Sequence, residues 1–169
     1  MESRVKVFGH PVHQMLIVFP LGLLATSVVF DIIHLASGAA YAATVAYALI
    51  ASGIVGGLLA APFGLIDWIA IPAGTRAKKI GGLHGGGNVV VLALFAISLW
   101  LRSGQVQQPP TWAVVLSFCG AAIALVTGWL GGELVDRLGI GISANPHPDA
   151  PSSLDASADD HPPVRPRSA

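Results

Sequence analysis

The sequence predicts an all-α protein in which four transmembrane helices form a compact bundle, and two observations lead to this prediction. Of the 169 residues, 53% are hydrophobic and only 11% are charged, whereas a soluble domain carries about 25% charged residues. The apolar residues are also gathered into four segments of about 20 residues, the length that crosses the hydrocarbon of a bilayer. Because lipid offers the backbone no hydrogen-bond partner, such segments fold as helices.

The four apolar segments divide the chain into a membrane domain and a tail. They are predicted at residues 13–35, 41–66, 83–101 and 112–134, with connectors at 67–82 and 102–111. The first segment is longer than the core of a signal peptide, about 7–15 apolar residues, so we expect it to stay in the protein. Residues 1–142 then form one four-helix domain. Residues 143–169, rich in Pro, Ser, Ala and Asp, are predicted to be a disordered cytoplasmic tail.

Basic residues predict the orientation of the domain, because cytoplasmic connections carry an excess of Lys and Arg. Six basic residues collect at one side of the membrane: Arg4, Lys6, Arg76, Lys78, Lys79 and Arg137. That side is predicted to be cytoplasmic, with both termini inside the cell. Arg102 is the only basic residue expected at the other side, where Asp31 and His34 are predicted to form an interfacial polar pair.

Composition and motifs argue against several classes of function. The formal net charge is zero, so the chain has no basic field that would bind nucleic acid. The single cysteine, Cys119, cannot form a disulfide within the chain. The sequence shows no phosphate-binding loop and no set of nucleophile, base and acid, so an enzyme is not the favoured interpretation.

Two related helical hairpins are indicated by a repeat with an offset of 71 residues. At this offset His13 corresponds to His84, and small residues such as Ser27 and Ser98 also correspond. Both histidines begin a helix from the same side of the membrane. We therefore expect two hairpins that are related by an axis along the membrane normal.

Histidines at the predicted cytoplasmic side are the candidate functional residues. His10 and His13 lie in the motif GHPVHQ before the first helix, and His84 lies in the glycine-rich motif GGLHGGGN. Neutral imidazole binds haem iron or zinc, and glycine lets a flat group approach the backbone closely. The leading hypothesis is b-type haem held for electron transfer between the first and third helices by His13 and His84, with His10 as a substitute for His13. Three cations would bind the propionates: Arg76, Lys78 and Lys79.

The same residues support other interpretations at the level of sequence. A zinc site would combine the three histidines with an acid such as Asp67 or Glu133. Ionisable groups in membrane segments also suit proton transfer or transport. In a structural or accessory membrane subunit without a cofactor, the same side chains would only cap helices and pair charges.

Three stretches together resemble a bacterial family of membrane proteins, the domain of unknown function 2231: GHPVHQMLIVFPLGLL, GLIDWIAIPAGTRAKKIGGLHGGGNVV and GWLGGELVDRLGIGI. The resemblance covers residues 7–142. It implies a small four-helix domain in the bacterial inner membrane, and it places the family's histidines at His10, His13 and His84. Relatives with this domain beside a Rieske-type iron–sulfur domain imply redox partners, whereas the family name assigns no function.

Overall fold

The computed structural model is dominated by four long helices. It describes residues 1–155, and residues 156–169 lie outside the described part of the chain. The first membrane crossing consists of α1 (Val12–Leu16) and α2 (Val18–Ser37). The other three are α3 (Ala40–Ala70), α4 (Arg76–Arg102) and α5 (Thr111–Gly132), and α5 continues into a π-helical turn at Glu133–Arg137. All four crossings are long and apolar enough to span a membrane. The predicted all-α class with four transmembrane helices is therefore confirmed.

A short β-hairpin precedes the first helix. Its strands β1 (Lys6–Val7) and β2 (His10–Pro11) pair antiparallel. The two-residue turn between them has φ values of 50° at Phe8 and 80° at Gly9, which is the geometry of the turns that favour glycine in two-residue hairpins. The hairpin fixes where α1 begins, because the N–H of Val12 donates to Val5 O at 3.1 Å.

Local chemistry sets the two ends of α2. The helix is interrupted at Ile17, since Pro20 has no N–H to donate to the carbonyl of Leu16 four residues earlier. It ends at Ser37 because Gly38 adopts a left-handed φ of 70° and returns its N–H to His34 O. This is the common way in which a helix ends at a glycine.

The connectors are shorter than the sequence predicted. Asp67 belongs to α3 and Arg76 begins α4, so only residues 71–75 connect these helices. Arg102 likewise belongs to α4. The apolar segments underestimate the helices because polar residues can also be helical. Asp67 and Arg76 lie at helix ends near the membrane interface, where charge costs little, whereas Arg102 is buried inside the bundle. Residues 143–155 contain no helix or strand; the disordered tail stays a prediction, and part of it lies outside the described residues.

Thr75 caps the start of α4, and its removal gives a first testable prediction. Its Oγ1 accepts a hydrogen bond from the N–H of Lys78 at 3.1 Å. We expect Thr75→Ala to lower the free energy of unfolding by about 1 kcal/mol, measured by SDS titration of the protein in detergent. Thr75→Ser keeps the hydroxyl and is the matched control. Equal losses in the two variants would contradict a capping role.

The four crossings pack as two hairpins. α2 packs along α3 and α4 along α5, while the contacts between hairpins join α3 to α4 and α2 to α5. α2 and α4 therefore lie diagonally across the bundle. Its centre is filled by four buried side chains: Leu24, Ile50, Val91 and Phe95.

The packing within the hairpins follows the predicted repeat. A Cβ on Gly53 would lie 2.6 Å from Leu24 Cδ2, and a Cβ on Gly120 would lie 2.8 Å from Phe95 Cε2. Leu24 and Phe95 are 71 residues apart, the offset of the sequence repeat. Gly53 and Gly120 are 67 residues apart, so the second helices of the hairpins correspond at an offset four residues shorter. Each hairpin brings its helices together at such a glycine, where the missing side chain permits close approach.

Candidate functional site

His13 and His84 lie at the end of the bundle where α1 and α4 begin, which we call the histidine end. His13 Nδ1 lies 3.1 Å from Ala60 O, and His84 Nδ1 lies 2.8 Å from Thr127 O. Because a carbonyl only accepts hydrogen bonds, Nδ1 carries the proton in each ring and Nε2 presents its lone pair. The structure thus places both histidines at the same end of the bundle, each against the neighbouring helix of its own hairpin.

Each histidine ring also packs against a glycine of the neighbouring helix. A Cβ on Gly64 would lie 2.7 Å from His13 Cε1, and a Cβ on Gly131 would lie 3.1 Å from His84 Cε1. In both hairpins this glycine follows the accepting carbonyl by four residues, which is one helical turn. The two histidines therefore have equivalent surroundings in the two halves of the repeat.

The equivalence ends at the second ring nitrogen. His84 Nε2 accepts a hydrogen bond from Asn88 Nδ2 at 3.2 Å, and Asn88 Oδ1 accepts one from Thr127 Oγ1 at 2.8 Å. The position that corresponds to Asn88 in the first half is Ile17, which has no polar side chain. Among the described residues, nothing donates a hydrogen bond to His13 Nε2. One imidazole is thus engaged in a polar network and the other presents an unused acceptor.

The three cations expected to hold propionates have different surroundings. Arg76 Nη2 donates to Glu133 Oε1 at 2.6 Å. Lys78 Nζ donates to Trp68 O at 2.6 Å and lies 4.1 Å from the centre of the Trp68 ring. Lys79 is exposed, and its side chain makes no hydrogen bond to the described residues. Arg76 and Lys78 therefore link helix ends, and of the three only Lys79 has a side chain without such a contact.

The N-terminal segment closes the histidine end and engages Asp67. Asp67 accepts hydrogen bonds from Ser3 Oγ at 2.7 Å and from the N–H of Arg4 at 2.7 Å. His10 lies on the exposed strand β2, where its Nε2 is 3.4 Å from Ser153 Oγ. Across residues 1–155, no three His, Cys, Asp or Glu side chains come together in a group that could hold a metal ion. The four-ligand arrangement considered from sequence is therefore not assembled there.

Outside the membrane crossings, one carboxylate near this end is perturbed. Lys6 donates to Glu2, and its positive charge lowers the pKa of the Glu2 carboxyl below its usual value. The pair lies on the exposed N-terminal segment. It is therefore a surface contact and not part of the histidine network.

A second polar cluster lies at the opposite end of the bundle, which we call the ion-pair end. Arg102 donates two parallel hydrogen bonds to Asp31, from Nη1 to Oδ1 and from Nη2 to Oδ2, both at 2.7 Å. It also donates from Nε to Ser98 Oγ at 3.1 Å and from Nη2 to Ser117 Oγ at 3.0 Å. All four side chains are completely buried. A bidentate pair whose guanidinium also donates to two hydroxyl groups is a favourable arrangement for buried charges.

The predicted pair of Asp31 with His34 is wrong. Asp31 is buried against Arg102, whereas His34 Nδ1 donates to Ala39 O at 3.0 Å in the turn after α2. Asp31 follows Leu24 and Ser27 on the buried face of α2, so its carboxylate points across the bundle. The one basic residue expected in the outer connector, Arg102, is the partner that it meets there.

The repeat offset contained a signal for this ion pair. Asp31 and Arg102 are 71 residues apart, as are His13 and His84. Ser27 and Ser98, also related by this offset, are both fully buried. Equivalent positions of two hairpins that pack around a common axis face each other across it. A comparison of charged residues at this offset would have paired Asp31 with Arg102 from the sequence.

A family comparison covers most of the chain. The profile of a family described as predicted membrane protein, DUF2231, covers residues 9–144. The chain belongs to this family. The match runs from the turn of the β-hairpin through all four crossings, so the DUF2231 domain contains both the histidine end and the ion-pair end. No curated protein and no solved structure matches the chain.

Proposed function

We propose that this multi-pass DUF2231 protein is a redox component in which His13 and His84 hold b-type haem at the histidine end. The observation that supports the proposal is the matched pair of hydrogen bonds from Nδ1 to backbone carbonyls. Ligating histidines commonly donate their second ring N–H in this way, which fixes the tautomer and orients Nε2. With two imidazole ligands no coordination position stays open, so bound haem would supply electron transfer and no substrate chemistry.

The two histidines supply the nitrogen atoms that haem iron would need, after one rearrangement at His84. His13 Nε2 already presents its lone pair to a ligand. His84 Nε2 first has to lose the Asn88 amide, whose Oδ1 keeps the hydrogen bond from Thr127. For the propionates, Lys79 is available without breaking a contact, and Arg76 has a guanidinium side chain that is 59% exposed.

The proposal includes an orientation in which the histidine end faces the cytoplasm. Five of the six basic residues assigned to that side lie on the N-terminal segment or at the start of α4, and the sixth, Arg137, is in the π-helical turn. These positions all border one end of the bundle. The excess of positive charge favours a cytoplasmic location in a bacterial inner membrane, where a second redox subunit would exchange electrons with the haem.

A second candidate function is a structural or accessory membrane subunit without a cofactor. The observation that favours it is the hydrogen bond from Asn88 to His84 Nε2. Lys78 and Arg76 also have partners within the chain. In this interpretation the histidines join helices within each hairpin, and a stable partner should co-purify from native membranes without haem.

Absorption spectroscopy distinguishes the two functions. The protein, purified in detergent after expression with an adequate haem supply, is expected to show a Soret band that shifts on reduction with dithionite. His13→Ala and His84→Ala are each expected to lose the band, because both imidazoles would be needed to hold the haem. Size-exclusion chromatography checks that the variants remain folded.

His10→Ala is the matched control for these variants. His10 lies on the exposed hairpin, so its loss is expected to leave the spectrum unchanged. If the His10 variant loses the band and the His13 variant keeps it, the ligand assignment is wrong. A wild-type protein without a Soret band would rule out the haem proposal and favour the accessory role.

A further inference from the structure

The two contacts between hairpins are not equally tight. α3 packs along α4 more extensively than α2 packs along α5, although the repeat makes these contacts equivalent. Between α3 and α4, a Cβ on Gly57 would lie 2.7 Å from Leu92, so the helices approach closely. Leu21, which corresponds to Leu92, is 59% exposed. The repeat is therefore broken on the α2–α5 side, where the helices stand apart.

A cleft opens between α2 and α5 at the ion-pair end, with a volume of about 320 Å³. This volume lies at the lower end of the range of small-molecule sites. The walls are mainly apolar, and they include His34 and Leu35 from the α2 side and Thr111, Val115, Phe118 and Cys119 from α5. We call this space the α2–α5 cleft.

The polar groups of the α2–α5 cleft lie at one end. His34 is in the last turn of α2 and Thr111 is the first residue of α5, so both lie near the membrane surface. Cys119 follows Thr111 by eight residues, which places it about 12 Å deeper along the helix. A cleft with its polar end at the interface and its apolar end toward the bilayer centre matches the orientation of an amphiphile in the membrane.

The chemistry of His34 selects the head of that amphiphile. Its Nδ1 faces the carbonyl of Ala39 at 3.0 Å and therefore carries the proton. Nε2 is then an acceptor, and no described residue donates to it. A ligand head that donates a hydrogen bond would satisfy this nitrogen, whereas a purely acceptor head would not.

We infer that the α2–α5 cleft binds a single-chain membrane amphiphile whose head carries a hydroxyl group, such as an alkylphenol or a hydroquinone. The hydroxyl donates to His34 Nε2, and the alkyl chain lies along Val115 and Phe118 toward Cys119. A second groove of about 290 Å³, lined by residues that include Leu16, Val55 and Leu59, has no imidazole. That groove offers the Ser52 hydroxyl but no imidazole acceptor, and it provides an internal comparison.

Two probes that differ only at the head test the inference. 4-Dodecylphenol has a hydroxyl donor, and 4-dodecylanisole replaces it with a methyl ether. The full chain in lipid nanodiscs is incubated with each probe, and the amount bound above that in empty nanodiscs is measured by mass spectrometry. We expect the phenol to bind about tenfold more tightly than the anisole, the ratio expected for one hydrogen bond in a site shielded from water.

Three variants locate the binding. His34→Phe removes the acceptor and is expected to reduce phenol binding to the level of anisole, and Val115→Trp fills the cleft and is expected to abolish specific binding of both probes. Val55→Trp fills the other groove and is expected to change neither. Equal binding of the two probes to the wild type, or phenol binding that survives either cleft variant, would overturn the inference. If His34→Phe does not fold, the probe comparison and Val115→Trp still decide.

Discussion

Replacement of Arg102 by Met is expected to lower the free energy of unfolding by about 3–5 kcal/mol, the cost of leaving a buried charge without its partner. Arg102 and Asp31 are both fully buried, and their two hydrogen bonds are 2.7 Å long. Without the guanidinium, the Asp31 carboxylate stays buried at the ion-pair end without its cation. SDS titration of the protein in bicelles measures the change.

Arg76→Met is the matched control, because it removes the same side chain from an exposed ion pair. Arg76 pairs with Glu133 at 2.6 Å, but its side chain is 59% exposed. Exposed pairs contribute about 0–1 kcal/mol, so the free energy of unfolding of this variant should be close to that of the wild type. If both Arg→Met variants lose the same stability, burial does not set the strength of the Asp31–Arg102 pair.

Removal of both charges separates the cost of an orphaned charge from the value of the pair. In Asp31→Leu/Arg102→Met, apolar side chains replace both partners, and such replacements of buried pairs are often neutral or stabilising. We expect the double variant to recover most of the stability that Arg102→Met loses. A double variant as unstable as the single one would show that the pair contributes strongly in its own right.

Exchange of the two charges is expected to recover about half of the stability that Arg102→Met loses, because the positions are equivalent in the repeat. In Asp31→Arg/Arg102→Asp, the new arginine lies four residues after Ser27, as Arg102 lies four residues after Ser98. Ser27 is completely buried and offers the hydroxyl that Nε needs. The same SDS titration measures the recovery.

The recovery is incomplete because one hydroxyl is missing from the exchanged arrangement. Arg102 also donates to Ser117 at 3.0 Å. The second helices of the two hairpins correspond at an offset of 67 residues, as Gly53 and Gly120 do, so the position that corresponds to Ser117 is Ile50. Adding Ile50→Ser and Ser117→Ile to the exchange is therefore expected to recover about a further 1 kcal/mol. If the exchanged protein is less stable than Arg102→Met, the two sites are not equivalent around the charge pair.

The two polar clusters differ in how far sequence could predict them. His13 and His84 were paired from sequence because both precede long apolar segments and share the offset of 71. Their partners could not be predicted, since Ala60 O and Thr127 O are backbone atoms of other helices. Nothing in the identity of an alanine indicates that its carbonyl receives an imidazole.

Asp31 shows a different reason for failure. Its distance from His34 along one helix suggested a local pair, because residues three apart are neighbours on a helix surface. The observed partner, Arg102, lies on the helix diagonally opposite in the bundle. The paired hydrogen bonds to a buried Arg102 outweigh a local contact with His34, since a buried carboxylate without a cation is strongly unfavourable.

The sequence by itself determined the four membrane crossings, the repeat and the histidine pair, because length, hydropathy and a fixed offset are properties of the chain alone. Only the tertiary structure decided which polar groups meet. Three features bring together residues that are distant in sequence or on different helices. They are the hydrogen bonds of His84 and Asp31, the contact of the N-terminal segment with Asp67, and the cleft lined by His34. Their interactions depend on helix rotation and separation, which hydrophobic pattern does not specify.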